Sequence, residues 1–249
     1  MTLTKTILAV AVAMGMTTSA YAAGETVVVA GATGKSGVPL IKILSEQGYK
    51  VRAMVRDKAK AGDLGAGVEV VQADATKPET LGAAMKGATY VISTIGAGGV
   101  EPPNNPENVD YKGVVNLTDA AKAAGVKHFV LMSSIGAADP NPETFLNKRF
   151  GMVLMWKGKG EDHLRKSGLS YTIVRPGGLA DCEPGKAGLK VGSVADITQG
   201  PTICRSDVGL IMADALTNKD VVGKTIATVS DKDGKPGTWK AALAGIKKD

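Results

Sequence analysis

The chain has 249 residues, 44% of them hydrophobic and 22% charged, with 32 glycines, two cysteines and a net charge of +6. These figures exclude global disorder and a disulfide-built scaffold, and no run of about 20 apolar residues exists to build a multi-span membrane protein. The lysines and arginines are scattered, so a nucleic-acid partner is not indicated, and a pocket for an anionic small molecule accounts for the mild basic excess equally well.

Residues 1–22 read as a cleaved secretory signal. Lys5 is its single cation, residues 7–16 form an apolar stretch too short to span a bilayer, and Ala20-Tyr21-Ala22 has the small-x-small cleavage pattern. The cut is expected after Ala22, leaving residues 23–249 as one exported domain, periplasmic or secreted, with no stable membrane insertion. An uncleaved anchor or a first strand are the alternatives. No Arg-Arg pair marks the route that exports folded protein.

From there, strand and helix patterns alternate. Thr26–Ala30 is a continuous apolar run, as a buried parallel strand requires. A helix follows with Gly37, Leu40, Ile41 and Leu44 on one face, stopped by Gly48. Strands are expected at 51–55, 68–71 and 90–93, then a long amphipathic helix at 108–124 and a strand at 129–132. A helix at 150–167, a strand at 171–174, a helix at 207–216, a strand at 225–229 and a closing helix at 237–246 complete the chain. Strands separated by helices imply βαβ units, hence an α/β fold with a doubly wound parallel sheet. Residues 179–202 show no period and are expected to form a loop covering a substrate.

The strongest chemical signal is Gly31-Ala32-Thr33-Gly34-Lys35-Ser36-Gly37, set between the first strand and the first helix. Gly31 permits a tight turn, Gly34 admits a pyrophosphate to the backbone, and Gly37 lets the helix pack on the sheet. Free amides at the helix N-terminus then face the phosphates. Pro39, early in that helix, costs little because its missing N–H falls among the unpaired ones. At the end of the second strand Arg56 can fork onto a 2′-phosphate, with Lys35 as a second cation. NADP is therefore favoured. Asp57, one residue on, keeps NAD open, and Arg56 as a mere exposed strand-end charge is the plain alternative.

Taken in order, the glycine loop, the strand end at 51–57, residues 72–81, 109–134 and 156–179, and the late Arg205-Ser206-Asp207 resemble the atypical short-chain dehydrogenase/reductase family. The resemblance is to its NAD(P)H-binding, NmrA-like, biliverdin reductase B-like branch, and it implies a Rossmann-like fold. It further implies that Asp74 and the Ala75 backbone meet the adenine, and that Thr94, Ile95 and Gly96 line the cofactor. Ser134 is implied to stand near the nicotinamide, Lys157 to reach its ribose, and Pro176, Gly177 and Gly178 to flank its amide. Ser134 and Lys157 are the candidate catalytic residues. One departure matters. The wider family uses Tyr-x-x-x-Lys, with the tyrosine as general acid. Here the residue four before Lys157 is Val153, and four before Lys159 is Met155. The expected function is therefore reduction of a small planar, electron-poor acceptor of quinone or flavin type. The alternatives are a non-catalytic NADP-binding sensor or assembly protein, and a membrane-attached protein that keeps its signal as an anchor.

His128 abuts a buried strand and His163 lies on a surface helix, so both read as structural. No cluster has metal-ligand spacing. Cys182 and Cys204 bracket the aperiodic stretch. They pair in an oxidising compartment or stand as two thiols, and spacing alone does not decide between these.

Overall fold

The computed structural model describes residues 24–249. The signal read over residues 1–22 lies outside them. The first strand, β1 (Thr26–Ala30), is where the apolar run requires it, and Val27 to Ala30 have no solvent exposure. It is followed by α1 (Gly37–Glu46), β2 (Lys50–Val55), β3 (Glu69–Gln72), α2 (Leu81–Met85) and β4 (Tyr90–Ser93). Next come α3 (Val114–Ala123), β5 (His128–Met132), α4 (Phe145–Arg149), α5 (Val153–Lys166) and β6 (Tyr171–Pro176). The last part holds β7 (Leu179–Ala180), β8 (Gly188–Gly192), β9 (Ile203–Cys204), α6 (Arg205–Ala215), β10 (Lys224–Asp231) and α7 (Lys240–Leu243).

Eight strands form one sheet in the order β3-β2-β1-β4-β5-β6-β10-β8, all parallel except β8, which runs antiparallel to β10. The order reverses between β1 and β4, and such a switch point opens a crevice at the carboxyl ends of the strands. One face of the sheet is covered by α1 and α6, through Leu40, Ile41, Leu44, Val208, Ile211 and Met212. The other is covered by α2, α3 and α5, through Leu81, Met85, Leu117, Ala121 and Leu164. Each fully buried aliphatic side chain in these layers contributes about 1.5–3 kcal/mol. The doubly wound, Rossmann-like reading is correct.

The structure refines four local expectations. The helix expected at 108–124 begins as a π-helical segment, Glu107–Gly113, which becomes α3 only at Val114. The helix expected at 150–167 is α5, which starts only at Val153, after a short separate helix, α4, that was not foreseen. Gly151 and Met152 both turn left-handed, and buried Asn147 holds the elbow. Its Oδ1 accepts from the Leu154 amide, and its Nδ2 donates to the Asp139 and Asn141 carbonyls. The closing helix shrinks to α7. The stretch 179–202 is not one loop: Gly188–Gly192 is the edge strand β8, whose small and alternating residues hide its period.

Cys182 and Cys204 are joined by a disulfide, with Cα atoms 5.5 Å apart. β7 and β9 pair in parallel beside it, and the Ile203 amide donates to the Gly178 carbonyl at 2.8 Å. His128 is buried, with its ring nitrogens 2.7 Å from Ser170 Oγ and 3.0 Å from Thr172 Oγ1. Burial holds its pKa down at about 4, so the ring is neutral at physiological pH. His163 meets Asp119 at 2.7 Å on the surface. Among the described residues, no helix is long and apolar enough to cross a membrane, and no group of three metal-ligating side chains converges.

Candidate dinucleotide crevice and adjoining cavity

The crevice lies at the switch point. Gly31, Thr33 and Gly34 from the β1–α1 loop line it, with Arg56 at the end of β2, Asp74 and Ala75 after β3, and Thr94, Ile95 and Gly96 after β4. Nine residues singled out in the sequence thus share one cleft of about 170 Å³. Gly31 has φ +86°, and a Cβ there would stand 2.8 Å from Thr94 Oγ1, so only glycine lets β1 and β4 end side by side. A Cβ on Gly37 would fall 2.2 Å from the Gly31 carbonyl oxygen, which is why α1 can start tight against the strand end. Gly34 differs. Only the Gly31 carbonyl oxygen, at 3.1 Å, lies near a Cβ placed there, so its outer side is open. No side chain caps α1, and its first turn carries no acid. The loop is therefore a cradle with free space and the positive end of a helix dipole facing it.

The charges around the adenine end are sorted by their partners. Arg52 is committed to Glu69 at 2.8 Å and to the Ala84 and Lys86 carbonyls. Asp57 caps the short turn 58–60, accepting from the Ala59 amide at 3.0 Å, and does not line the crevice. Arg56 does line it, and its Nη1 donates to Asn104 Oδ1 at 2.8 Å. Asp74 Oδ1 accepts from the Thr76 amide and hydroxyl, both at 2.9 Å, which fixes the turn that presents the carboxylate. Asn116 holds the Ala75 carbonyl at 2.8 Å.

Beyond Gly96 a second cavity opens, of about 500 Å³. Ser134 and Lys157 line it, together with Val100, Pro106, Leu146, Arg149, Phe150, Val153 and Leu154. Its walls are the loop 97–106 and the α4–α5 elbow, rather than the stretch 179–202 expected to cover a substrate. Ser134 Oγ donates to the Ile135 carbonyl at 3.0 Å, and the Ile135 amide donates to the Pro176 carbonyl at 3.0 Å. The turn of Pro176, Gly177 and Gly178 therefore sits beside Ser134, though it lines neither cavity. Lys35 and Ser36 also stay outside both, on the outer side of the glycine loop, with Lys35 exposed.

Lys157 Nζ forms a 2.6 Å ion pair with Asp110, whose other carboxylate oxygen accepts from the Ala97 amide at 3.0 Å. Asp110 lies in the π-helical segment, a geometry often found at functional sites. Sequence reading missed Asp110, Asn104 and Arg149. Asp110 was within reach: it falls on the same helical face as Val114, Leu117 and Ala121, and an acid on an apolar face demands a buried cation. Below Lys157 on the same helix, fully buried Glu161 accepts a two-pronged ion pair from Arg175 and another from Arg165 at 2.9 Å. That network clamps α5 to β6.

The sequence family described as NAD(P)H-binding matches residues 31–219. Sanguinarine reductase of Eschscholzia californica is 33% identical over 248 residues, covering 84% of this chain and 90% of that protein. Protein TIC 62, chloroplastic, of Pisum sativum is 41% identical over 174 residues, but the match covers 61% of this chain and only 32% of the pea protein. Among solved structures, the oxidoreductase ylbE from Lactococcus lactis superposes with a TM-score of 0.74 at 25% identity, covering 88% of this chain and 95% of that one. The glycine cradle, the switch-point crevice and these likenesses agree, and the chain belongs to the NAD(P)H-binding family of Rossmann-like proteins.

Proposed function

We propose that the protein is an NADP-dependent oxidoreductase that reduces a small, planar, electron-poor acceptor. The observation that carries this reading is the adjacency of the two cavities along the chain: a dinucleotide crevice lined as far as Gly96, and a largely apolar chamber lined from Ala97 on that holds Ser134 and Lys157. The residues present suit the cofactor. The 31–37 loop and the start of α1 would hold the pyrophosphate, Asp74 and Ala75 the adenine, and Arg56 the 2′-phosphate after releasing Asn104. Lys157 would bind the nicotinamide ribose, and Pro176, Gly177 and Gly178 would flank the amide. NADP is favoured over NAD because Arg56 faces the crevice while Asp57 is spent on a turn.

When bound, NADPH supplies a hydride. The acceptor then needs one proton to complete a two-electron reduction, as from quinone to hydroquinone. Val153 lines the chamber where a Tyr-x-x-x-Lys pair would place its phenol, so α5 provides no tyrosine as general acid. Ser134 Oγ, or water, delivers the proton, which restricts the acceptor to one that accepts hydride readily. Asp110 keeps Lys157 oriented by the 2.6 Å ion pair at the cavity wall. Asp110, acting through Lys157, is a positioning residue.

The same valine favours a second reading, a cofactor-binding sensor without turnover. NADPH oxidation by the purified chain, followed at saturating cofactor with quinone and flavin acceptors, separates the two. Turnover above the uncatalysed rate supports the enzyme. Tight NADPH binding with no acceptor-dependent oxidation supports the sensor.

A further inference from the structure

We propose that the 500 Å³ cavity is a slot for a flat apolar acceptor bearing one anionic substituent, and that Arg149 reads that charge. The inference deepens the oxidoreductase reading and rests on it. The shape comes from two walls. Val100 and Pro106 form one; Leu146, Phe150, Val153 and Leu154 form the other. They converge at the elbow, where a Cβ on Gly151 would be 3.5 Å from Val100 Cγ1 and 3.6 Å from Pro106 Cδ. The loop and the elbow therefore approach each other along one edge of the cavity. Its rim is apolar and open: Val100 is 47% and Phe150 44% exposed.

The charge comes from what is already neutralised. Among the described residues, two cations line the slot and no carboxylate does. Lys157 is paired with buried Asp110. Arg149 is not paired: among the described residues its guanidinium meets no carboxylate, and it lies 5.4 Å from the centre of the Phe150 ring. The neighbouring Lys148 is bound to Glu143 at 2.7 Å. Arg149 is thus the uncompensated charge at the mouth. A guanidinium held over a ring by cation–π attraction keeps its N–H groups free for an oxyanion. An acceptor whose rings enter the slot would leave its anionic group at that fork, partly solvated and not stripped of water.

The test uses anthraquinone-2-sulfonate and its uncharged sulfonamide, bound to the chain saturated with NADP⁺ and followed by calorimetry. The sulfonate is expected to bind about tenfold more tightly than the sulfonamide, the scale of one charge-assisted contact. Arg149→Gln should bring the ratio of the two affinities close to one, and Lys148→Gln should leave it unmoved. Equal affinities in the unaltered chain, or a ratio that survives Arg149→Gln, would overturn the proposal. NADPH turnover keeps the two readings apart. Reduction of both dyes without charge preference overturns the slot assignment and leaves the oxidoreductase standing. Charge-selective binding without any NADPH oxidation does the reverse.

Discussion

Lys157 Nζ stands 2.6 Å from Asp110 Oδ1, and the Asp110 side chain has no solvent exposure. The pair joins α5 to the π-helical segment and sets the position of the cation between the crevice and the chamber. Breaking it from the lysine side leaves a buried carboxylate supported by the Ala97 amide alone. Lys157→Ala is expected to destabilise the fold by about 2–4 kcal/mol, toward the lower end because the lysine is partly solvated. Asp110→Asn combined with Lys157→Ala should cost less than the sum of the two single changes. Urea unfolding of the four proteins in the cycle measures it, and strict additivity would show the pair to be inert.

The glycine loop separates binding from folding. Gly34→Val should abolish dinucleotide binding while the chain still folds, since a Cβ there meets only the Gly31 carbonyl oxygen, at 3.1 Å. Gly37→Ala should instead lower stability by about 1–3 kcal/mol through overpacking, because its Cβ would overlap the Gly31 carbonyl oxygen. Dinucleotide titration beside thermal melts reads both. Unchanged affinity in folded Gly34→Val would reduce the loop to a turn.

Arg56 is expected to select NADP over NAD. NADPH should bind more tightly than NADH by about 1.5–3 kcal/mol, the scale of a hydrogen bond to a charged group. Arg56→Ala should remove most of that difference, and Asn104→Ala should preserve or raise it by freeing the guanidinium now held at 2.8 Å. Equal affinities in the unaltered protein would sink this assignment.

His128 makes stability depend on pH in a defined window. Its folded pKa is about 4, below the ordinary 6.5, because burial disfavours the charged ring. A depressed histidine binds its proton in the unfolded chain first. Its contribution is therefore complete above about pH 6.5 and is lost as pH falls toward 4, by roughly 2–3 kcal/mol. His128→Gln should flatten that part of the urea-stability profile. An identical slope in the variant would assign the acid sensitivity elsewhere.

The disulfide and the leader can be tested on one preparation from the native host. Changing both Cys182 and Cys204 to Ser should cost about 3 kcal/mol in the chain-entropy model. A non-reduced, alkylated digest should show the two cysteines linked. We expect the same protein to begin at Ala23, as export through the signal read at residues 1–22 requires. Fully alkylated cysteines, or an intact Met1 terminus, would count against the oxidised and exported states respectively.

Local chemistry was legible wherever one element carried its own signal. The apolar run before Gly31, the glycines at 31, 34 and 37, the stop at Gly48 and the cation at Arg56 depend on near neighbours, so the alternation of strand and helix and the glycine turn of the crevice followed from them. Tertiary structure alone decided the chamber. Asn147 fixes the elbow before α5, because its side-chain amide holds the Asp139 and Asn141 carbonyls and the Leu154 amide at once. Asp110 and Lys157 are 47 positions apart in sequence, and only packing of α5 on the π-helical segment brings them into contact. Arg149 and Asn104 acquire meaning only from what faces them across a gap. Periodicity records which side of an element is buried. It does not record which buried or cleft-facing groups will meet, because that depends on how elements remote in sequence are oriented against the same sheet.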